Sequence, residues 1–192
     1  MDIVLAKELM EKARVSFAPG LTVEEVTAAE QRWRLRFPPD LAEFLRYGLP
    51  VSGGWFDWRD LRNPAIERAL EWPLEGMCFD IEHNTFWPDE WGLRPASLST
   101  AFEIARAEVA KAPRLVPVCA HRYIPAEPPE TGNPVFSVYQ TDIICYGADL
   151  WEYLSNEYSY YFRGPGAGFT VPENPKQIRF WSWLVHLNDD AA

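Results

Sequence analysis

The sequence lacks the signatures of several protein classes. Its three cysteines, Cys78, Cys119 and Cys145, are odd in number and widely spaced, so they form neither a disulfide framework nor a paired metal knuckle. Each cysteine lies in an apolar setting, which is typical of a small buried hydrophobic residue. No apolar run approaches the roughly 20 residues that a membrane-spanning helix needs. We therefore expect a soluble protein that holds no metal, no cofactor and no structural disulfide.

The chain is also short of basic residues. It has 18 Lys and Arg against 28 Asp and Glu, a formal net charge of −10, and no single segment carries the excess. Such a surface repels nucleic acid and anionic lipid, so we expect neither direct nucleic-acid binding nor membrane binding. Residues 1–8 include an early acidic side chain and no long apolar run, which is unlike a signal peptide. We therefore expect a cytoplasmic protein, whose oligomeric state the sequence leaves open.

The clearest local pattern lies in residues 21–54. Thr22 and Glu25 have the spacing of a capping box, which predicts the start of a helix. The Pro-Pro pair at 38–39 cannot continue that helix, but proline suits the first turn of the next one. Gly48 then stands where a left-handed cap would end the second helix. This stretch predicts two consecutive helices and names no chemistry.

The rest of the chain predicts short strands between two groups of helices. Further helices are predicted at 2–17 with Asp2 as the cap, at 63–71, at 99–112 with Ser99 as the cap, and at 148–161. Strands are predicted at 55–59, 77–82, 115–119, 135–139 and 142–146. Pro117 places one of these strands at a sheet edge or a bulge. We expect a loop over 124–134 and a buried helix or strand over 178–187.

This order of elements predicts an α+β fold. It has a central, mostly antiparallel sheet, with N-terminal and C-terminal helices packed against it. We expect one domain over residues 1–192, with an aromatic-rich excursion at about 72–95 and a C-terminal extension after about 162.

Two motifs resemble a known superfamily. The first is L-T-x-E-E-V-x-x-x-E followed by F-P-P-D-L-x-x-F-L-x-x-G, within residues 21–48. The second is G-N-P-V-F-S-V-Y-Q-T-D-I-I-C-Y-G-A-D-L-W-E-Y-L, residues 132–154. With L-V-P-V at 115–118 between them, they resemble the SUKH superfamily of Smi/Knr-like domain proteins, in its bacterial type. The match is spread over most of residues 21–160, and the excursion and the extension depart from it.

The resemblance implies an α+β fold with a central, mostly antiparallel sheet, and it implies a binding role. Bacterial SUKH members are often immunity proteins that neutralise toxins of contact-dependent or polymorphic toxin systems, frequently nucleases. Fungal relatives are regulatory scaffolds in cell-wall signalling. The superfamily offers no catalytic motif to carry over, so the resemblance implies a protein that is not an enzyme.

The acidic side chains beside His83 are a candidate metal site. Asp80, Glu82 and His83 lie close in sequence, with Asp89 and Glu90 shortly after them, and both residue types are common metal ligands. However, the sequence has no H-x-x-x-H pairing, and in a strand His83 would face away from the two acids. We favour a polar rim around a Trp-rich loop.

A second polar group follows the predicted strand at 115–119. His121 and Arg122 stand at its end, and Asp142 lies in the later hairpin, where it could pair with Arg122. A structural ion pair or hydrogen bond is favoured over a ligand site. The glycines of 164–168 do not form a phosphate loop, because they follow a helix and Pro165 removes an amide donor.

Aromatic residues interleaved with charges are typical of interface anchors. The chain has nine Trp, several of them beside acidic residues, and the alternative is that most of these rings fill a core. The candidate partner-binding residues are Trp55, Trp58, Arg59, Trp87, Asp89, Glu90, Trp91, His121, Arg122 and Asp142.

Three functional interpretations follow. The first is a non-catalytic immunity protein that binds a basic toxin domain, whose basic surface its own nucleic-acid substrate would require. The second is a cytoplasmic regulatory scaffold without a toxin partner. The third is an enzyme that uses the groups around His83 or His121, which requires those side chains to converge in one pocket.

Overall fold

The structure is a computed structural model that describes residues 2–191. The helices are α1 (Ile3–Lys12), α2 (Val23–Trp33), α3 (Pro39–Tyr47), α4 (Pro64–His83), α5 (Leu98–Val109), α6 (Leu150–Glu157), α7 (Ser159–Arg163) and α8 (Trp181–Ala191). The strands are β1 (Phe17–Pro19), β2 (Gly48–Pro50), β3 (Leu115–Cys119), β4 (Arg122–Pro125), β5 (Val135–Tyr139) and β6 (Asp142–Gly147). A 3₁₀ turn, Asp89–Trp91, lies between α4 and α5.

Strands β3 to β6 form an antiparallel meander in that order, and β1 pairs with β2 in a small antiparallel sheet. This architecture confirms the predicted α+β class. Strand β3 is an edge strand, and its register with β4 shifts between Pro117 and Cys119. The prediction that Pro117 marks an edge or a bulge is confirmed, because a proline cannot donate a ladder hydrogen bond.

The buried apolar side chains divide into two clusters. One lies between the N-terminal helices, α6 and one face of the four-stranded sheet, and it includes Phe44, Trp58 and Tyr153. The other lies between the C-terminal half of α4, α5, α8 and the opposite face, because successive residues of a strand point to opposite sides, and it includes Met77 and Trp181. Helix α4 contributes side chains to both clusters and therefore packs against both.

Helices α2 and α3 form largely as predicted, and Asp2 caps α1 as predicted, but the helix predicted over 2–17 ends at Lys12 and Phe17 already belongs to β1. Thr22 Oγ1 accepts a hydrogen bond from the Glu25 amide at 3.2 Å, and Glu25 Oε2 accepts one from the Thr22 amide at 2.8 Å, so the capping box is confirmed. Pro39 stands in the first turn of α3, as predicted. The left-handed cap at Gly48 is wrong, because Gly48 has a φ of −168° and enters β2 directly.

The largest correction concerns α4. The predicted short helix at 63–71 and the predicted strand at 77–82 are one continuous helix that passes through Pro73. Its buried residues recur every three or four positions, which is the helical period. Proline inside a helix removes one backbone donor and usually ends the helix. Here the ring is buried in the fold, so tertiary packing outweighs the local preference.

Other boundaries also differ from the predictions. Residues 55–59 are not a strand and make a single bridge, Trp55 to Cys119. Strand β4 occupies the start of the predicted loop at 124–134. The cap of α5 is Ser97 rather than Ser99. The predicted helix at 148–161 is divided into α6 and α7. Of the buried helix or strand predicted at 178–187, residues 181–187 form the first turns of α8.

Gly76 explains how α4 approaches the sheet so closely. A Cβ atom at Gly76 would lie 2.7 Å from Gln140 Cα, which is in the turn between β5 and β6. Gln140 itself has a φ of 58°, so this turn has a fixed left-handed geometry. Beside it, the buried carboxylate of Asp80 accepts hydrogen bonds from the Thr141 amide, at 2.9 Å, and from the Thr141 hydroxyl. The turn and the helix are therefore locked together.

We expect Gly76→Ala to lower the free energy of unfolding by about 1–2 kcal/mol, because the clash with backbone outweighs the gain in helix propensity. Gly168→Ala is the matched control, since a Cβ there meets nothing within 4 Å. The measurement is urea denaturation of both variants beside the unsubstituted protein. Equal stability of all three proteins would contradict the close approach of α4 to the turn.

Candidate functional site

Two of the predicted interface tryptophans lie in the core. Trp58 is 1% exposed, and its ring meets Phe37 edge to face with 4.9 Å between ring centroids. Trp55 is also buried, packs against Phe44, and donates its Nε1 hydrogen to Tyr158 Oη at 2.9 Å. Neither ring presents a surface to a partner. The prediction that Trp55 and Trp58 bind a partner is therefore wrong, because both rings fill the core.

Arg59 joins the small sheet to the start of α2. Its Nε lies 2.6 Å from Glu25 Oε1, and its Nη2 donates to the carbonyls of Pro19, at 2.9 Å, and Gly20, at 3.1 Å. The hydrogen bond from Arg59 lowers the pKa of Glu25, and the backbone amide of Thr22 lowers it further. Arg59 therefore extends the capping box of α2 and is occupied by contacts within the chain.

Arg122 is also held inside the structure, with a side chain that is only 12% exposed. Its guanidinium lies 3.8 Å from the ring centroid of Tyr146, its Nε pairs with Glu157 Oε2 at 3.2 Å, and its Nη1 donates to Ser137 Oγ at 2.8 Å. The predicted partner, Asp142, is not among these contacts. The predicted kind of contact, a structural ion pair, is present, but the predicted acid is wrong, because Glu157 takes the place of Asp142.

The sheet register explains why Asp142 is excluded. Arg122 on β4 is opposite Ser137 on β5, and Ser137 is opposite Ile144 on β6. Asp142 begins β6 at the turn, opposite Tyr139, which is two residues farther along the strand. His121 lies in the turn between β3 and β4, where burial and the neighbouring Arg122 lower its pKa.

The acids around His83 do not converge. Asp80 points into the fold and is bound by the Thr141 hydroxyl and by the side-chain amide of Asn84. Glu82 and His83 are exposed at the end of α4, with 3.7 Å between Glu82 Oε2 and His83 Nε2. Over residues 2–191, the structure contains no group of three or more His, Cys, Asp or Glu that could hold a metal ion.

The remaining predicted residues lie together in the segment between α4 and α5. The rings of Trp87 and Trp91 meet edge to face at 5.3 Å, and Phe86 meets Trp91 at 5.9 Å. Trp87 also donates its Nε1 hydrogen to the Gly92 carbonyl at 2.7 Å. The segment is therefore packed against itself. Its 3₁₀ turn leaves the two acids that precede Trp91 exposed.

A groove of about 440 Å³ lies next to this turn. Its apolar walls are Trp91 together with Phe180 and Trp183 from the start of α8, and Glu90 and Glu108 stand at its rim. Phe180 and Trp183 were missed as site residues, because they are about ninety positions away in sequence. The only sequence signal was the apolar, aromatic character of 178–187.

The basic residues of the groove are bound within the chain. Lys111 Nζ lies 2.7 Å from Glu108 Oε1, and Arg179 donates to the Lys111 carbonyl. The exposed acids Asp89 and Glu90 make no ion pair among the described residues. Glu108 and Lys111 therefore neutralise each other, whereas Arg179 keeps its positive charge, so that Asp89, Glu90 and Arg179 together leave a net charge of −1 around the groove.

Leu93 follows two residues after Trp91 and is 97% exposed. Most of its side chain faces solvent, although single exposed leucines are common on protein surfaces. Leu93 does not line the groove, but it lies two residues beyond a groove wall, and apolar surface with a polar rim is typical of a contact region. We call this region the Trp91 surface, and its members are Trp87, Asp89, Glu90, Trp91, Leu93, Phe180 and Trp183.

Comparisons with known proteins add no family. No protein-family model matches the chain, and neither a curated protein nor a solved structure matches it. The described residues include no helix that is long and apolar enough to cross a membrane. The class is therefore defined by fold and surface: an α+β chain with an acidic, aromatic groove. The SUKH resemblance stays a prediction.

We expect Arg59→Gln to raise the pKa of Glu25 part of the way towards that of an ordinary glutamate, because the Thr22 amide still binds the carboxylate. A lowered pKa in the folded state stabilises the fold above the unfolded-state pKa, and this contribution disappears as the pH falls through the folded-state pKa. The variant should therefore lose less stability than the unsubstituted protein between neutral and acidic pH.

The measurement is an NMR titration of the Glu25 carboxyl carbon, with Arg62→Gln as the control for a lost surface charge. An unchanged pKa of Glu25 in Arg59→Gln would contradict the described contact.

Proposed function

We propose that this chain is a non-catalytic protein-binding module of the SUKH type, and that it is an immunity protein that binds and neutralises a toxin domain with a basic surface. The motifs at 21–48 and 132–154 support the superfamily, and the α+β architecture is the one that the superfamily implies. The observation that carries the binding role is the Trp91 surface, an apolar aromatic groove beside the exposed, unpaired acids Asp89 and Glu90.

The groove supplies the contacts that hold a complex. Buried aromatic anchors contribute most of the energy of many interfaces, and Trp91, Phe180 and Trp183 offer aromatic walls to an inserted side chain. The rings are preorganised, because Trp91 packs on Trp87 and Phe180 packs on Trp183 at 5.8 Å. A partner therefore gains apolar contact without ordering these residues.

The charge selects the partner. A net charge of −10 attracts a basic surface over several ångströms, and Asp89 and Glu90 place part of that charge beside the groove. A nuclease must present a basic surface to its substrate, so it is the toxin class that fits best. Neutralisation then occurs by occlusion of that surface. Under this proposal the protein acts in the cytoplasm, where such a toxin would reach nucleic acid.

The direct test is co-expression with the toxin domain encoded beside this gene. We expect restored growth of the host and a complex that calorimetry detects with the purified proteins. A gene with no toxin in its neighbourhood, or a neighbouring toxin that neither binds nor is neutralised, would overturn the immunity role. That outcome would favour a regulatory scaffold instead.

We expect Leu93→Asp to weaken this complex at least about tenfold, which corresponds to about 1.4 kcal/mol. The charge would enter the apolar part of the contact, and the fold should be unaffected because the side chain is exposed. Val171→Asp is the matched control, since Val171 is 72% exposed and lies outside the Trp91 surface. Equal affinities of the two variants would place the contact elsewhere.

We expect Glu90→Lys to slow association and to make the association rate less dependent on salt, because an exposed rim charge acts mainly on diffusional encounter. Glu173→Lys makes the same charge change at an exposed position away from the groove. Stopped-flow association rates at two ionic strengths measure the effect. Identical rates for both variants would show that the rim does not face the partner.

A further inference from the structure

An arginine cluster follows the end of α2 in this acidic protein. Helix α2 ends at Trp33, and its C-cap residue Arg34 has a left-handed φ of 52°. Over residues 32–37 exposed and buried side chains alternate. The exposed residues are Arg32, Arg34 and Arg36, and the buried residues are Trp33, Leu35 and Phe37. The alternation directs three guanidinium groups outward while the apolar residues anchor the segment in the core.

Arg114, just before β3, completes the cluster. Its Nη1 donates to the Arg34 carbonyl at 3.0 Å, across 80 positions of sequence. Arg34 and Arg114 together line a cleft of about 390 Å³, whose wall also includes Arg32 and Trp33. This volume falls within the range of small-ligand clefts, about 300–1,000 Å³. We call it the arginine cleft.

The charges in the arginine cleft are not neutralised within the chain. Among the described residues, no carboxylate forms an ion pair with Arg32, Arg34 or Arg114. Arg32 instead donates from Nε to the Leu61 carbonyl at 3.1 Å, and its guanidinium lies 4.2 Å from the ring centroid of Trp33. Neutral groups therefore hold the side chains of Arg32 and Arg114 in place and leave their full positive charge.

This arrangement differs from the other fixed arginines of the protein. Arg59 and Arg122 each form an ion pair with a glutamate, so their charges are neutralised within the fold. In the cleft, partial burial of Arg114 lowers its pKa, and the nearby charge of Arg34 lowers it further. Like charges held close together without an ion-paired carboxylate repel each other, and a bound anion relieves this repulsion.

A second observation also indicates a ligand. Trp33 lines the same cleft, is buried, and has an indole Nε1 for which the described residues provide no hydrogen-bond acceptor. Buried indole N–H groups usually have a partner, since an unsatisfied donor costs free energy. Because this nitrogen is shielded from solvent, a ligand oxygen satisfies the donor once the side chains that cover it, among them the Arg32 guanidinium on the ring, move aside.

The acids of the cleft restrict the ligand to a small one. Glu67 and Glu71 of α4 also line it, and together with the net charge of −10 they repel an extended polyanion. A compact dianionic group matches three arginines better than a single carboxylate does. We propose that the arginine cleft, with Arg32, Arg34 and Arg114, binds the phosphate group of a small ligand. This inference is independent of the Trp91 surface and of any protein partner.

The test is calorimetric titration with inorganic phosphate at constant ionic strength, using the full chain. We expect saturable binding, weakened at least about tenfold in Arg114→Gln and in Arg34→Gln, because each loses a charge-assisted hydrogen bond to the anion. Arg68→Gln is the matched control, since Arg68 is an exposed arginine on α4 that does not line the cleft. The control should bind phosphate as the unsubstituted protein does.

Two further readouts make the outcome decisive. Phosphate should shift the indole N–H resonance of Trp33, identified by its loss in Trp33→Phe, and acetate at the same ionic strength should not. Absence of saturable phosphate binding, an equal loss in Arg68→Gln, or equal binding of acetate would each overturn the proposal.

Discussion

The contact between α4 and the turn of β5 and β6 is the constraint on which the other features depend. Gly76 permits the backbone approach, and Asp80 fixes it through the amide and hydroxyl of Thr141. The start of α4 carries Glu67 and Glu71 to the arginine cleft, and its end begins the segment that bears Trp91. The placement of α4 against this turn therefore fixes where the helix begins, beside the arginine cleft, and where it ends, before the segment that bears Trp91.

Charge is distributed unevenly in this acidic molecule. Some arginines form ion pairs within the fold, namely Arg59 with Glu25 and Arg122 with Glu157. Arg114 is held by the backbone carbonyl of Arg34 instead, and both arginines lack an ion-paired carboxylate among the described residues. The exposed acids Asp89 and Glu90 of the Trp91 surface are likewise unpaired in the described part of the chain. One chain thus carries a region rich in unpaired arginines and a region with unpaired acids.

Sequence patterns predicted the elements whose causes are local. The capping box of Thr22 and Glu25, the effect of Pro117 on β3, and the hairpin of β5 and β6 each depend on a few adjacent residues. The prediction divided helix α4 into a helix at 63–71 and a strand at 77–82; Pro73, which lies between them, is a local helix breaker, and the packing that overrides it comes from distant elements. Local rules therefore apply where tertiary contacts do not oppose them.

The candidate surfaces were less predictable for the same reason. Trp58 and Trp91 both stand beside acidic residues in sequence, yet one is packed under Phe37 and the other lines a groove. Burial depends on contacts with residues far along the chain, as it does for Phe180 at the groove and for Arg114 at the arginine cleft. Composition predicted an acidic, aromatic contact region, and only the fold selects which rings form it.

The aromatic walls of the groove come from two segments outside the SUKH-like motifs. Trp91 belongs to the excursion at about 72–95, and Phe180 and Trp183 belong to the extension after about 162. Both segments lie outside the motifs that resemble the SUKH pattern, whereas those motifs build the capped helices and the sheet. The same segments also fill the second core cluster, to which they contribute Met77 and Trp181. A substitution that repositions either segment would therefore change both the core and the groove, and neither segment can vary independently of the fold.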